Sequence, residues 1–220
     1  MNKLILLGAL SLSAPLNALA ASSSASADID VHASTLGLGV GIATSLSDSV
    51  AGRVSFSQYS KTSQTTSDNI NYDTNLKLSN IAALADWHAF DGFFHLSAGM
   101  VYNNNELEMI ATPVGTNYTI NGKTYSTGQV GSLSTLVTFN KIAPYLGVGW
   151  SGRAKKTGFS FKSDIGILFQ GSPKSSLTAT GAAADPALAA DVAAAQIKLD
   201  NELESYKYYP VISVGLAYAF

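Results

Sequence analysis

A chain of 220 residues that is 46% hydrophobic and only 13% charged carries about half the charged share usual for a soluble protein. Its apolar surface must be buried or given to lipid, which excludes disorder for most of its length. Thirteen Lys and Arg against fifteen Asp and Glu give a net charge of −2, so nothing points to nucleic acid as a partner. The absence of Cys excludes a disulfide scaffold, thiol catalysis and thiolate metal ligation.

Residues 1–20 read as a secretory signal peptide. Lys3 supplies the positive start, residues 4–12 the apolar core, and Ala18-Leu19-Ala20 the small residues before cleavage after Ala20. That core is too short to span a bilayer as a helix. An exported chain without Cys suits a bacterial envelope.

The rest alternates with period two, the mark of strands. Leu36, Leu38, Val40 and Ile42 alternate with Gly37, Gly39, Gly41 and Ala43, and Val54 and Phe56 with Arg53, Ser55 and Ser57. Ile81, Ala83, Ala85 and Trp87 oppose Asn80, Ala82, Leu84 and Asp86. The segments at 94–102, 142–150, 159–169 and 212–220 repeat the pattern. One face is large and apolar; the other carries Gly, Ala, Ser and isolated charges. A soluble sandwich would put charges outside. The inverted arrangement fits a membrane barrel, with the apolar face toward lipid and the small, polar face toward a narrow lumen. Aromatic girdles are expected from Trp87, Phe90, Trp150 and Phe220 at one end and Tyr59, Tyr72 and Tyr102 at the other.

Connector lengths agree. Links at 47–49, 88–92 and 151–157 are short, as on the periplasmic side of such barrels, and those at about 62–74, 104–131 and 172–205 are long outer loops. Seven strands are visible. An even count requires an eighth, and residues 25–34, with Ile29 and Val31, supply it by closure, followed by a tight outer turn at 35–37. The expected fold is all-β: an eight-stranded antiparallel transmembrane barrel over 21–220. Asn121-Gly122 in the second long loop predicts a type I′ hairpin. In the third, Asp185-Pro186 reads as an N-cap and first-turn proline, and Leu188, Val192, Ala195 and Leu199 follow at helical spacing, predicting a helix over about 186–203 at the barrel mouth. A mobile Ala-rich loop is the competing reading.

The last segment, Tyr209 to Phe220 (YPVISVGLAYAF), resembles the closing strand of bacterial outer-membrane barrels. Its Tyr218 and terminal Phe220 resemble the signal read by the barrel-insertion machinery. Together with residues 120–125 (INGKTY), 141–150 (KIAPYLGVGW) and 171–174 (GSPK), it resembles the CarO-type family of small outer-membrane proteins. The likeness runs from about residue 75 to 220. It implies an eight-stranded barrel and slow uptake of small solutes, basic amino acids such as ornithine among them, with outer-membrane lipid and the insertion machinery as partners.

Gly147, Gly149 and Gly152 match G-x-G-x-x-G, but another strand follows rather than a helix, so no cofactor is expected. His32, His88 and His95 lack ligand spacing, and no metal is expected. His95 with a barrel serine is the enzyme candidate, but no orienting acid or oxyanion hole stands beside it in sequence, so no catalytic residue is assigned. The sharper set is Arg53, Asp86, His95, Lys141, Tyr145, Lys162 and Asp164, all at inward positions. Either they pair into a plug that ties the barrel together or they line a polar path that selects a small solute. The small inward residues favour an open lumen, so the function expected is a narrow channel for passive diffusion of small hydrophilic solutes, and the protein is not an enzyme. The alternative is a closed barrel acting as a structural or interaction protein through its outer loops. Oligomeric state stays open.

Overall fold

The computed structural model describes residues 27–67, 70–89, 92–113, 117–151 and 157–220. The signal peptide, Phe90 and Gly152 lie outside them. Eight strands form the ring: β1 (Ala27–Ser34), β2 (Gly37–Ser45), β3 (Val50–Ser67), β4 (Ile70–Trp87), β5 (Phe94–Asn103), β10 (Ile142–Ser151), β11 (Gly158–Phe169) and β13 (Tyr208–Ala219). Between β5 and β10 come β6 (Glu106–Pro113), β7 (Asn117–Ile120), β8 (Lys123–Ser126), the single-turn helix α1 (Thr127–Val130) and β9 (Leu133–Thr138). Between β11 and β13 come β12 (Lys174–Ala179) and helix α2 (Pro186–Leu203).

Ring neighbours are antiparallel throughout, and the ring closes where β1 pairs with β13, from Asp28 opposite Ala219 to Ser34 opposite Ser213. The strand inferred only from closure is therefore present. Closure leaves no ring strand with an unpaired edge, which is the condition for a sheet to stand in lipid. Among the described residues no helix is long and apolar enough to cross a membrane. Ile29, Val31, Val40, Ile42, Phe56, Ile81, Leu146, Ile165, Ile212 and Leu216 are exposed on the outer wall, whereas Asp28, Asp30, Asp86, His95, Lys162 and Asp164 are buried inside.

The structure departs from the sequence reading in the outer loops. Residues 62–67 and 70–74 are strand and not loop. β3 and β4 stay paired up to Ser67 opposite Ile70, while β2 last meets β3 at Leu38 opposite Gln58. The ribbon thus rises nine residues, ~30 Å, above the β1–β2 turn. Tyr72, expected in a girdle, stands near its tip opposite Thr65. The upper half of β4 carries the sheet outward as β4–β6–β9–β12, in which β6 and β12 come from segments expected as loops and β9 follows the one expected at 104–131. Leu36, expected to face lipid, sits in the turn and folds inward, buried with Val101, Ala143, Tyr145, Leu168 and Val211.

Helix α2 occupies 186–203 as the spacing predicts, capped by the Asp185 carboxylate accepting from the Ala187 and Leu188 amides. Leu188 and Val192 pack against Tyr118, Ile120 and Tyr125 of the β7–β8 hairpin. The hairpin turns at Asn121 and Gly122, whose φ of 51° and 80° are those a type I′ turn demands. The exposed edge of β12 is blunted: its Ser175 and Leu177 amides donate to the Asp200 and Gln196 side chains of α2, at 2.8 and 3.2 Å. Those side chains occupy donors that a foreign strand would otherwise use.

Asp191 clasps hairpin to helix. It accepts from the Tyr125 hydroxyl, from Lys123 Nζ at 2.9 Å and from Asn121 Nδ2 at 3.1 Å. The Tyr125 hydroxyl bond and the other two donors lower its pKa to about 2, and the same bond to Asp191 raises Tyr125 to about 12. Because the folded pKa lies below the ordinary 3.8, the clasp is complete above that value and is lost as pH falls through about 2. Amide exchange over 117–126 is expected to stay slow at pH 4 and quicken near pH 2. In Asp191→Asn it should already be fast at pH 4.

Candidate functional site

The lumen of eight strands is just wide enough for side chains to fill, and charges placed there must pair. Arg53 comes from the periplasmic half of β3, Asp86 from the end of β4, and Asp164 from β11 on the far side of the ring. The Arg53 guanidinium reaches both acids. Its two terminal nitrogens each donate to one oxygen of Asp164 at 3.0 Å, Nη2 also meets Asp86 Oδ1 at 3.1 Å, and Nε lies 3.0 Å from Asp86 Oδ2. This forked geometry is the strong form of a charge-assisted bond. Ser97 donates to Asp86 at 2.6 Å. His95, itself only 1% exposed, lies 3.1 Å from Asp164 through Nε2 and 3.2 Å from the Ser151 hydroxyl through Nδ1. The carboxylate accepts the hydrogen bond from Nε2–H, which leaves Nδ1 to accept from Ser151.

A second chain of contacts runs beside the first. Lys162 donates to Asp28 at 2.7 Å and lies 3.6 Å from Asp30. Asp30 meets His32 Nδ1 at 2.7 Å, and His32 Nε2 meets the Ser57 hydroxyl at 2.9 Å.

The inward glycines are seats rather than openings. A Cβ at Gly39 would come closer than 3.0 Å to His32, at Gly41 to Asp30, at Gly149 to His95 and Asp164, and at Gly147 or Gly166 to the Tyr145 hydroxyl. The small residues expected to keep the lumen open are instead where the filling side chains lie. What remains is a cavity of about 60 Å³ lined by Asp30, His32, Arg53, Ser57, Tyr145 and Asp164 among others, room for about four waters. Leu36, Val101, Tyr145 and Val211 of the apolar cluster form part of its wall, and the cavity is partly open.

Six of the seven side chains expected in the lumen are there: Arg53, Asp86, His95, Tyr145, Lys162 and Asp164. Lys141 is not. Its parity is inward, but it precedes the first paired residue of β10 and stands exposed, bonded to Asn104 and 3.9 Å from Glu106. On the exposed rim the ammonium keeps its contact with water, which is cheaper than holding it inside. Tyr218 and Phe220 lie on the outer wall in a stack of edge-on rings with Phe159, at centroid distances of 5.0 and 5.8 Å. Sequence reasoning missed Asp28, Asp30, Ser57, Ser97 and Ser151, and read His32 as isolated. The signal was present in Asp28, Asp30 and His32, which share one face at alternate positions, but β1 was placed by closure and its face was not read.

No protein-family model and no curated relative matches the chain. Solved structures do. Acinetobacter baumannii CarO2 is similar with a TM-score of 0.58 at 18% identity, over 89% of this chain and 98% of that one. The fold is that of the CarO-type outer-membrane barrel. Acinetobacter baumannii CarO is similar at a TM-score of 0.56 and 20% identity, over 88% and 97% of the two chains. Within this CarO-type barrel, the lumen charges fall into two bonded sets, and Arg53, Asp86, Asp164, Lys162, Asp28 and Asp30 each have a partner whose loss would strand a charge.

Removing one member of a buried ion set strands the others, typically at 3–5 kcal/mol. Arg53→Ala is therefore expected to lower the temperature at which the barrel unfolds in detergent, read by the shift of folded to unfolded bands on an unheated gel. Replacing Arg53, Asp86 and Asp164 together by Met, Leu and Leu should recover most of that loss, since no charge is left alone. Gly149→Val should destabilise as well, because the added atoms overlap His95 and Asp164.

Proposed function

We propose that the chain is an outer-membrane barrel with a closed lumen, acting as a structural or interaction protein through its extracellular sheet and helix. The observation that carries this reading is the Arg53 guanidinium, held by Asp86 on the neighbouring strand and crossing the lumen to Asp164. The glycine seats and the inward Leu36 add to it, and the outer segments are built as a folded sheet with a clasped hairpin rather than as slack loops. Localisation in the bacterial outer membrane, export by a signal peptide cleaved after Ala20, and assembly through Tyr218 and Phe220 complete the proposal. No catalytic turnover is part of it.

A second reading is supported by the polar cavity between the ion pairs and the apolar cluster. In it, small hydrophilic solutes, basic amino acids among them, pass slowly when the pairs rearrange. Swelling of vesicles holding the purified barrel separates the two. In isosmotic glycine or lysine, the closed reading expects swelling no faster than that of protein-free vesicles. Solute-dependent swelling by the intact protein would favour the slow channel. Deletion of Phe220 is expected to cut the amount of folded barrel in the outer membrane severalfold, measured against total expression.

A further inference from the structure

The lumen carries a chemical arrangement that a plug does not need. Ser57, His32 and Asp30 stand in nucleophile–base–acid order at 2.9 and 2.7 Å. The Asp30 carboxylate only accepts, so it holds the proton on His32 Nδ1 and leaves the Nε2 lone pair to take the Ser57 hydroxyl proton. This sets the tautomer that activates a serine. Three glycines make the space: side chains at Gly39 and Gly215 would strike His32, and one at Gly41 would strike Asp30. All three members of the relay line the cavity, whose wall also carries the cations Arg53 and Lys162. Both cations are already held by carboxylates, Arg53 by Asp86 and Asp164 and Lys162 by Asp28 and Asp30, so what the geometry offers is the relay itself and not an oxyanion site. The other serine–histidine–aspartate set, Ser151, His95 and Asp164, differs. Its Asp164 is forked onto Arg53, and neither His95 nor Ser151 lines the cavity.

We propose that Ser57 is a reactive serine, activated by His32 and oriented by Asp30, that accepts a small acyl group from an ester. In the step, Ser57 Oγ bonds to the carbonyl carbon while its proton passes to His32 Nε2. The bond from that carbon to the ester oxygen then breaks, and the departing alkoxide takes the proton from His32. The cavity, about 60 Å³, has room for an acetyl-sized group, and the proposal is made for a group of that size. The site goes beyond the closed-barrel reading and does not depend on whether solutes pass.

Methanesulfonyl fluoride is a probe small enough for the cavity. Its S–F bond breaks as the Ser57 O–S bond forms, fluoride leaves, and the proton goes to His32. Peptide mass spectrometry of the intact, folded barrel is expected to find the sulfonyl group on Ser57. His32→Gln should slow that labelling by about 100-fold, the share of a positioned general base. Asp30→Asn, which keeps the shape and reverses the tautomer, should slow it as well, and both variants are to be checked for the folded gel band. A small thiosulfonate tests access through the thiol of Ser57→Cys. If that thiol reacts while Ser57 in the wild type stays unlabelled, the serine is not activated and the proposal fails. If neither reacts, nothing reaches the site and the proposal fails equally. Labelling of Ser57 at an unchanged rate in His32→Gln would also overturn it.

Discussion

A guanidinium held between two carboxylates, in a space with room for about four waters, is the tie on which the interior depends. Arg53 and Asp86 come from neighbouring strands and Asp164 from the opposite side of the ring, so the bonds from Arg53 to Asp164 cross the lumen and tie one wall to the other. Each charge taken from water costs several kcal/mol unless it is paired and hydrogen-bonded. The pairing is close to complete: Ser97 supports Asp86, and His95 supports Asp164. The glycines follow from the crowding, since an eight-stranded lumen holds His95, Tyr145 and His32 where the backbone beside them is bare: Gly149 is paired with His95, Gly39 with His32, and Gly147 and Gly166 lie under the Tyr145 hydroxyl.

Most of the barrel was legible in the sequence because two constraints act on every spanning residue. Backbone groups in lipid must pair, which forces closed strands, and the outer wall must be apolar, which writes the period-two pattern. Even β1, with the poorest alternation, followed from the need for an even strand count. Helix α2 was legible for a local reason, the Asp185 cap and Pro186 ahead of Leu188 and Val192.

What was not legible depended on long-range pairing. Residues 62–67 and 70–74 carry polar residues on both faces, so period two says nothing there, and only the paired ladder from Thr62 opposite Asn75 to Ser67 opposite Ile70 shows that they are strand. Leu36 has outward parity but sits in a turn, where parity no longer fixes direction. Lys141 has inward parity but stands beyond the last paired residue. The glycines were misread in meaning rather than in place. They were correctly assigned to the inner face, but the side chains seated on them come from other strands, which only the register reveals.

The central claim is that the barrel is closed by the Arg53 tie. Conductance of the purified protein in a planar bilayer, wild type beside Arg53→Ala, tests it most directly. The expected result is silence from the wild type and discrete current steps from Arg53→Ala wherever that variant still folds. Discrete steps from the wild type, unchanged by Arg53→Ala, would contradict the account and return the lumen to an open path.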